Sequence, residues 1–259
     1  TEEADLSTGF VLKGIKKGSY DEVWETVWGE ERFIRDHHNR MLVCLQHASG
    51  VKMQIAFRCF NDGVALRYEF PDYEGKMTVT DEKTAYRFTE NHDVWSIPWR
   101  TEYYEGLWSK VPMWSLTDTV CSPITLELKD GGYAFVHEAA LYDYPGQNLY
   151  VKDNMLCTYL TPWLGAHKQT LDARAYKEGP WSSPWRMVIL TKTLPELVAS
   201  RIMLNLNEPC AIEDTEWIRP MKFIGIWWGM HIKTMTWEMG PLHGATTENM
   251  EKYLHFAKE

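Results

Sequence analysis

Two neighbouring residues with chemical potential, His137 and Glu138, sit inside a run that otherwise reads as an apolar β-strand, GGYAFVHEAALYDYPG at 131–146. Side chains alternate across a strand, so Tyr133, Phe135, His137, Ala139 and Leu141 share one face and Ala134, Val136, Glu138 and Ala140 the other. Both faces are apolar, which predicts that Glu138 is at least partly buried. A buried ionised carboxylate needs an opposite charge, several hydrogen-bond donors or a metal; otherwise it protonates. Two readings follow from the residues. Either a basic side chain such as Arg58 or Arg67 pairs with Glu138 inside the fold, or the carboxylate serves a ligand. The alternation excludes one chemistry. A glutamate base and histidine acid working around one sugar ring cannot be His137 and Glu138, because they point to opposite faces. His37, His38 and His92 are the other histidines on offer, and nothing in their context recommends them.

A second constellation lies in GIWWGMHIKTMTWEMGPLHGATTEN, beginning at Gly225. Trp227, Trp228 and His231 fall where a barrel strand would end, and Trp237 and His243 follow in the loop. Active sites of parallel α/β barrels are built at that end of the strands. Aromatic platforms and neutral histidines suit a sugar subsite; a packed loop with core tryptophans fits the same residues. No HExxH or other close metal-ligand spacing occurs, which argues against zinc. Glycoside cleavage needs two carboxyl groups facing each other across roughly 5–9 Å. Glu30 with Glu31, and Glu102 with Glu105, are the nearest approximations; adjacent acids such as Glu30 and Glu31 read as surface residues. No complete acid and base can be nominated.

The elements that must position these residues are mostly strands. VKMQIAFRCF and VALRYEF alternate on either side of NDG and predict a hairpin over 51–70 with a three-residue loop. The same device joins Ile124–Leu128 to Tyr133–Leu141 through KDGG. Further strands are expected at 41–46, 76–81, 186–191 and 201–206. Many short strands with polar turns predict a mainly β protein built as a sandwich. Near residue 218 the character changes. MKFIGIWWGM (221–230) is continuously apolar, as in a strand of a parallel sheet buried on both faces. TTENMEKYLHFAKE then places Met250, Tyr253, Leu254 and Ala257 at helical spacing, with Thr247 as N-cap and Glu248 at the positive helix end. Strand, loop and helix make one βα unit, which cannot form a sheet alone.

Composition bounds the rest. The 259 residues are 44% hydrophobic and 24% charged, with 13 Trp, 13 Tyr and 9 Phe. Aromatic faces stack on sugar rings and also simply fill cores. A net charge of −9 without a basic block excludes nucleic acid or an anionic membrane as main partner. The five cysteines, Cys44, Cys59, Cys121, Cys157 and Cys210, are scattered with no CxxC spacing, and Cys44 and Cys59, in apolar strand-like runs, read as buried thiols. No apolar run reaches the about 18 residues of a membrane span. TEEADLSTGF does not read as a signal peptide and suggests a mature or trimmed start.

Seven collinear stretches resemble glycoside hydrolase family 97, a family of α-glucosidases and α-galactosidases. They are ETVWGEERFIRDHHN (25–39), FRCFNDGVALRYEFP (57–71), HEAALYDYPGQNL (137–149), SPWRMVIL (183–190), ASRIMLNLNEPC (199–210), KFIGIWWGMH (222–231) and HGATTENMEKYLHFA (243–257). The resemblance implies a galactose mutarotase-like β-supersandwich over 1–215, lacking its first strands. Residues 216–259 would then be the first strand, loop and helix of a catalytic (β/α)8 barrel. It implies an exo-acting, calcium-dependent α-glycosidase acting on oligosaccharides in the periplasm or outside the cell, with α-glucosidase favoured. Glu138 would be a calcium ligand aimed out of its own domain, and Trp228, His231 and His243 would line the sugar pocket. The family's catalytic acids would lie beyond Glu259, so the chain alone is expected to be inactive, and the remainder of the barrel would be its partner. A lone βα unit exposes apolar surface, so residues 218–259 are expected to be poorly packed, domain-swapped or docked on another copy. The rival from another class is a non-catalytic carbohydrate-binding module with a lectin-like sandwich face.

Overall fold

A computed structural model of the chain describes residues 5–100, 105–162 and 172–258. It divides into two compact units, Thr1–Pro209 and Cys210–Glu259.

In the first unit the expected alternation becomes two facing antiparallel sheets. The large sheet runs Phe10–Glu25, Phe33–His47, Lys52–Phe60, Gly63–Phe70, Trp185–Thr191, Tyr133–Ala139, Ile124–Glu127, Asp93–Ser96 and Ser109–Pro112, with Trp181–Ser182 also paired to Gly63–Phe70. The small sheet runs Ala85–Arg87, Met155–Leu160, Gln147–Lys152 and Val120–Cys121. A further ribbon pairs Ala175–Glu178 with Lys76–Val79. Both anticipated hairpins form. The turn at Asn61 and Asp62 is one residue tighter than expected, because Gly63 itself pairs with Phe60. Phe10–Glu25 is the edge of the large sheet. Among the described residues it pairs with Phe33–His47 alone, and it exposes Val11, Leu12, Ile15 and Val23.

The apolar residues of the two central strands divide as their parity dictates. Ala134 and Val136 join Val94, Ile124 and Leu126 of the large sheet and Leu149 and Leu156 of the small one in the inter-sheet core. Trp185, Met187 and Ile189 face the other way, under Ile202 and Leu206. At about 25 cal/mol per Å² of apolar surface removed from water, such side chains stabilise the fold by roughly 1.5–3 kcal/mol each.

RIMLNL, expected as a strand at 201–206, is instead the helix Ile202–Leu206. Its buried residues are Ile202, Asn205 and Leu206, so helical i, i+3, i+4 spacing overrides the apparent alternation of Ile202, Leu204 and Leu206. The preceding helix, Leu194–Ala199, starts with a capping box between Thr193 and Glu196.

The second unit departs further from expectation. The strand anticipated over 221–230 is absent; Trp227–His231 is a short helix. A strand needs neighbours for its backbone N–H and C=O groups, whereas a helix satisfies them internally. Among the described residues this segment has no strand partner. Met235 anchors the unit: a Cβ on Gly229 would meet its sulfur at 3.0 Å, and one on Gly244 at 2.8 Å. The closing helix Thr247–Lys258 forms as predicted. Its cap is Thr246, one residue earlier than expected, whose Oγ1 accepts from Asn249 N at 3.2 Å. That helix buries no residue, and Leu254 and Phe256 are each 66% exposed. Trp217, Met221, Phe223 and Met239 of the same unit are exposed as well.

Candidate functional site: a buried carboxylate–guanidinium–carboxylate cluster

Glu138 points into the space between the two sheets, on the face it shares with Ala134 and Val136, and is 8% exposed. Its basic partner is neither Arg58 nor Arg67. Those two flank Trp185 on the opposite face, with guanidinium carbons 4.8 and 4.5 Å from the indole centroid. The partner is Arg186, directly opposite Glu138 in the strand register. Arg186 Nη1 donates to Glu138 Oε2, and the backbone N–H of Gln147 donates to Glu138 Oε1 at 3.0 Å.

Arg186 has a second carboxylate. Its Nε and Nη2 donate to Oε1 and Oε2 of Glu82 at 2.8 and 2.7 Å. This parallel two-bond fork is the strong form of the arginine–carboxylate pair. Glu82 comes from the connection between Lys76–Val79 and Ala85–Arg87, so the triad ties the large sheet to the approach of the small one. Thr84 Oγ1 and Tyr144 OH also donate to Glu82, at 2.8 and 3.3 Å. Alongside lies Gln147, whose amide donates to Thr158 Oγ1 at 2.7 Å and to Tyr86 OH at 3.1 Å.

The electrostatics follow from this sharing. Burial raises the Glu138 carboxyl above its ordinary value, and the Arg186 charge offsets this only in part. A guanidinium forked onto Glu82 through Nε and Nη2 engages Glu138 through Nη1 alone. Burial alone would weaken the Arg186 cation, but the bonds to Glu82 and the charges of both carboxylates hold it firmly protonated. Burial likewise pushes the Tyr144 and Tyr86 phenols up, so both remain neutral donors.

His137 occupies the opposite face, as alternation requires. Its Nδ1 lies 2.7 Å from Ser122 Oγ, and burial followed by the nearby Arg186 charge lowers its pKa to about 4. The turn after Glu138 is held tightly. Ala140 takes a left-handed φ of 53°, and its N–H donates to Asn207 Oδ1 at 3.0 Å. Left-handed backbone at a residue with a Cβ costs on the order of 1 kcal/mol or more, so the surrounding contacts must impose it.

The other sequence-nominated residues are accounted for as follows. His38 is buried with its Nδ1 2.7 Å from Asp36 Oδ1, and His92 Nδ1 accepts from the backbone of Lys129 at 3.2 Å. Both serve the packing of the sandwich, while His37 is exposed. Glu30 and Glu31 lie at the surface, and Glu31 pairs with Arg201. Glu105 is exposed, and Glu102 lies outside the described residues. Trp228, 71% exposed, and His231 come together in the helix Trp227–His231, with ring centroids 5.9 Å apart. His243 lies on a separate turn bridged to Thr236, and its buried Nδ1 has no hydrogen-bond partner.

The residues missed from the sequence are Arg186 and Glu82. Arg186 carried a legible signal, a lone charge in the apolar strand WRMVILT, matching Glu138 in its own strand. Glu82 carried none, since TDEKTAY reads as a solvated loop.

Among the described residues, no three His, Cys, Asp or Glu side chains gather as a metal site. Among the described residues a cation at Glu138 would therefore find a single carboxylate rather than a cage. Glu138 nonetheless fits the part of a single ligand. It has two acceptors filled of about four, and a Cβ on Gly146 would lie 3.6 Å from its Oε1, in ordinary contact. Space for a small group therefore exists beside that oxygen.

Residues 1–209 match the family model described as Glycosyl-hydrolase 97 N-terminal. A retaining alpha-galactosidase of Bacteroides thetaiotaomicron is 25% identical over 247 residues, covering 84% of this chain and 36% of that protein. A probable retaining alpha-galactosidase of Streptomyces bingchenggensis is 25% identical over 228 residues, covering 88% and 34%. Among solved structures, a Glycoside Hydrolase Family 97 enzyme from Pseudoalteromonas sp. strain K8, in complex with acarbose, superposes with a TM-score of 0.81. It is 33% identical, over 97% of this chain and 38% of that one. The chain thus spans about a third of the length of the curated relatives it matches. With the sandwich, the collinear motifs and this match in agreement, the chain belongs to the glycosyl-hydrolase 97 N-terminal family.

Proposed function

We propose that this chain is the N-terminal portion of a calcium-dependent, exo-acting α-glycosidase acting on oligosaccharides. In this proposal residues 216–259 open its catalytic barrel and the remaining barrel completes the active site. The carrying observation is the family match over 1–209, extended into the second unit by the 33% identical structure that covers 97% of the chain. α-Glucoside is favoured over α-galactoside. The Pseudoalteromonas relative, in structures with acarbose and panose, is more similar in sequence than the 25% identical proteins named as α-galactosidases. Trp228, His231 and His243 would line the sugar pocket, and an aromatic–imidazole pair as exposed as Trp228 and His231 suits stacking on a sugar ring.

Calcium takes six to eight oxygen ligands. This chain would supply one of them, from Glu138, and the others would come from the rest of the protein or from water. Bound there, the ion would supply positive charge that organises carboxylates around the substrate. Arg186 and the Gln147 N–H would orient the Glu138 carboxylate, and Tyr144 and Thr84 would hold Glu82 behind them. Among the described residues no helix is long and apolar enough to cross a membrane; the periplasmic or extracellular location proposed here rests on the family match.

A carbohydrate-binding module is the second reading. It draws on a cavity of about 270 Å³ beside the small sheet, lined by Thr80, Asp81, Thr119, Tyr150, Tyr159 and Arg174 among others. Hydrolysis of aryl α-glucoside and α-galactoside by the purified chain and by the full-length protein, with calcium and with EDTA, separates the two. The enzyme proposal expects EDTA-sensitive turnover by the full-length protein and none by the chain alone. Turnover by the chain itself, or a full-length protein indifferent to EDTA, would overturn it.

A further inference from the structure

The two carboxylates on Arg186 are not equivalent. Glu82 receives four donors: Nε and Nη2 of Arg186, Thr84 Oγ1 and Tyr144 OH. A carboxylate has about four lone-pair positions, so Glu82 is saturated. Glu138 receives two, from Arg186 Nη1 and Gln147 N, and the space beside Gly146 opens onto its Oε1. Arg186 is 1% exposed and Glu82 6%, so neither can turn to water for a substitute. Two negative groups around one positive group also leave the cluster with a surplus negative charge.

We infer that Glu82 is the permanent counter-ion of Arg186 and the positioning residue of the cluster, while Glu138 is its exchangeable partner. The Glu82 fork fixes the guanidinium plane, and that plane aims a single N–H at Glu138. When Glu138 turns an oxygen to a divalent cation, Arg186 keeps a complete two-bond partner and no buried charge is stranded. Stranding is what makes the loss of one member of a buried ion pair so destabilising. The cluster thereby presents a mobile carboxylate against a fixed anchor. The cation-facing half of this inference rests on the role proposed above for Glu138; the anchor half does not.

The test compares Glu82→Gln, Glu138→Gln and Glu82→Asp. In urea unfolding of the 259-residue chain, Glu82→Gln lowers the folding equilibrium constant about 10- to 100-fold, the scale for losing charge-assisted hydrogen bonds of the fork while Glu138 still neutralises Arg186. Glu138→Gln lowers it less than about tenfold, because the fork on Glu82 persists. Equal penalties, or the reverse order, would overturn the anchor assignment. Should Glu82→Gln fail to fold while Glu138→Gln folds normally, the order stands, and Glu82→Asp supplies the number. Glu82→Asp keeps the charge and regains most of the stability, but it draws the guanidinium back. Calorimetric titration of the full-length protein with calcium alone should then show affinity reduced about tenfold. A merely structural Glu82 would leave that affinity unchanged once stability is restored. If Glu138→Gln does not alter calcium binding, the proposed role of Glu138 fails on its own, and the order of the urea midpoints still decides the role of Glu82.

Discussion

Removing the shared cation should produce a penalty that grows with pH. In Arg186→Met the side-chain stem is roughly replaced, but Glu82 and Glu138 lose three charge-assisted hydrogen bonds while only 6% and 8% exposed. Breaking a buried ion pair by removing one member costs about 3–5 kcal/mol. The variant has one escape, which is to protonate a carboxyl in the folded state. From an ordinary value of 4.5, holding one proton at pH 7 costs about 3.4 kcal/mol at 1.36 kcal/mol per unit. The expected penalty at pH 7 is therefore about 3–5 kcal/mol, a large part of a typical domain's 5–15 kcal/mol. The sign follows from linkage. With no counter-ion, the carboxyl pKa in the folded variant lies above its unfolded value, so the folded state binds the extra proton and gains stability as pH falls toward 4.5. Between pH 7 and pH 5 the gap from wild type should narrow by about 2–3 kcal/mol. Urea unfolding of both proteins at pH 5, 6, 7 and 8, followed by tryptophan fluorescence, measures it. A gap that stays constant with pH, or that is below about 1 kcal/mol at pH 7, would refute the idea that Arg186 is the principal charge compensation for these carboxylates.

His137 adds a dependence of its own. Its folded pKa of about 4 lies below the ordinary 6.5, so its contribution is complete above pH 6.5 and is lost as pH falls through 4. Relative to His137→Gln, the wild type should lose roughly 2–3 kcal/mol between pH 7 and 4, read from paired urea midpoints; a flat difference would disprove it. Gly63→Ala should destabilise by about 3 kcal/mol or more, since its Cβ would lie 2.3 Å from the Val188 carbonyl oxygen and 2.8 Å from Ile202 Cδ1. Gly50→Ala meets no atom within 4 Å and suffers only its φ of 91°, which should cost about 1–2 kcal/mol. Thermal melts of the two variants that failed to separate would contradict this.

The sandwich was legible because strand alternation and turn chemistry are local. The hairpins around Asn61–Asp62 and between Glu127 and Tyr133 follow from a few adjacent residues. So did the need of Glu138 for a partner, since two apolar faces leave a carboxylate nowhere polar to go. Which partner was not legible, because Arg186 lies 48 residues away and only the pairing of their strands brings the two together. The short helices were misread for a related reason. Ile202–Leu206 and Trp227–His231 are apolar runs too short for period to decide between helix and strand. Availability of a neighbouring strand settles such segments, and that is a property of the whole fold.

Among the described residues the strand Phe10–Glu25 forms the open rim of the large sheet. Such a rim displays unpaired backbone donors and acceptors, a template onto which another polypeptide can zip. Its own composition sets the terms of that encounter. Lys13, Lys16 and Lys17 stand exposed along it among Val11, Leu12 and Ile15. The lysines fill only the first half of the strand, and Asp21, Glu22 and Glu25 lie in the second, so an antiparallel second copy in full register would set Lys13 against Glu22. A strand whose charges run in the complementary order, acidic then basic, would find both a backbone ladder and opposite charge, so the rim discriminates among strands by charge order before any side chain packs.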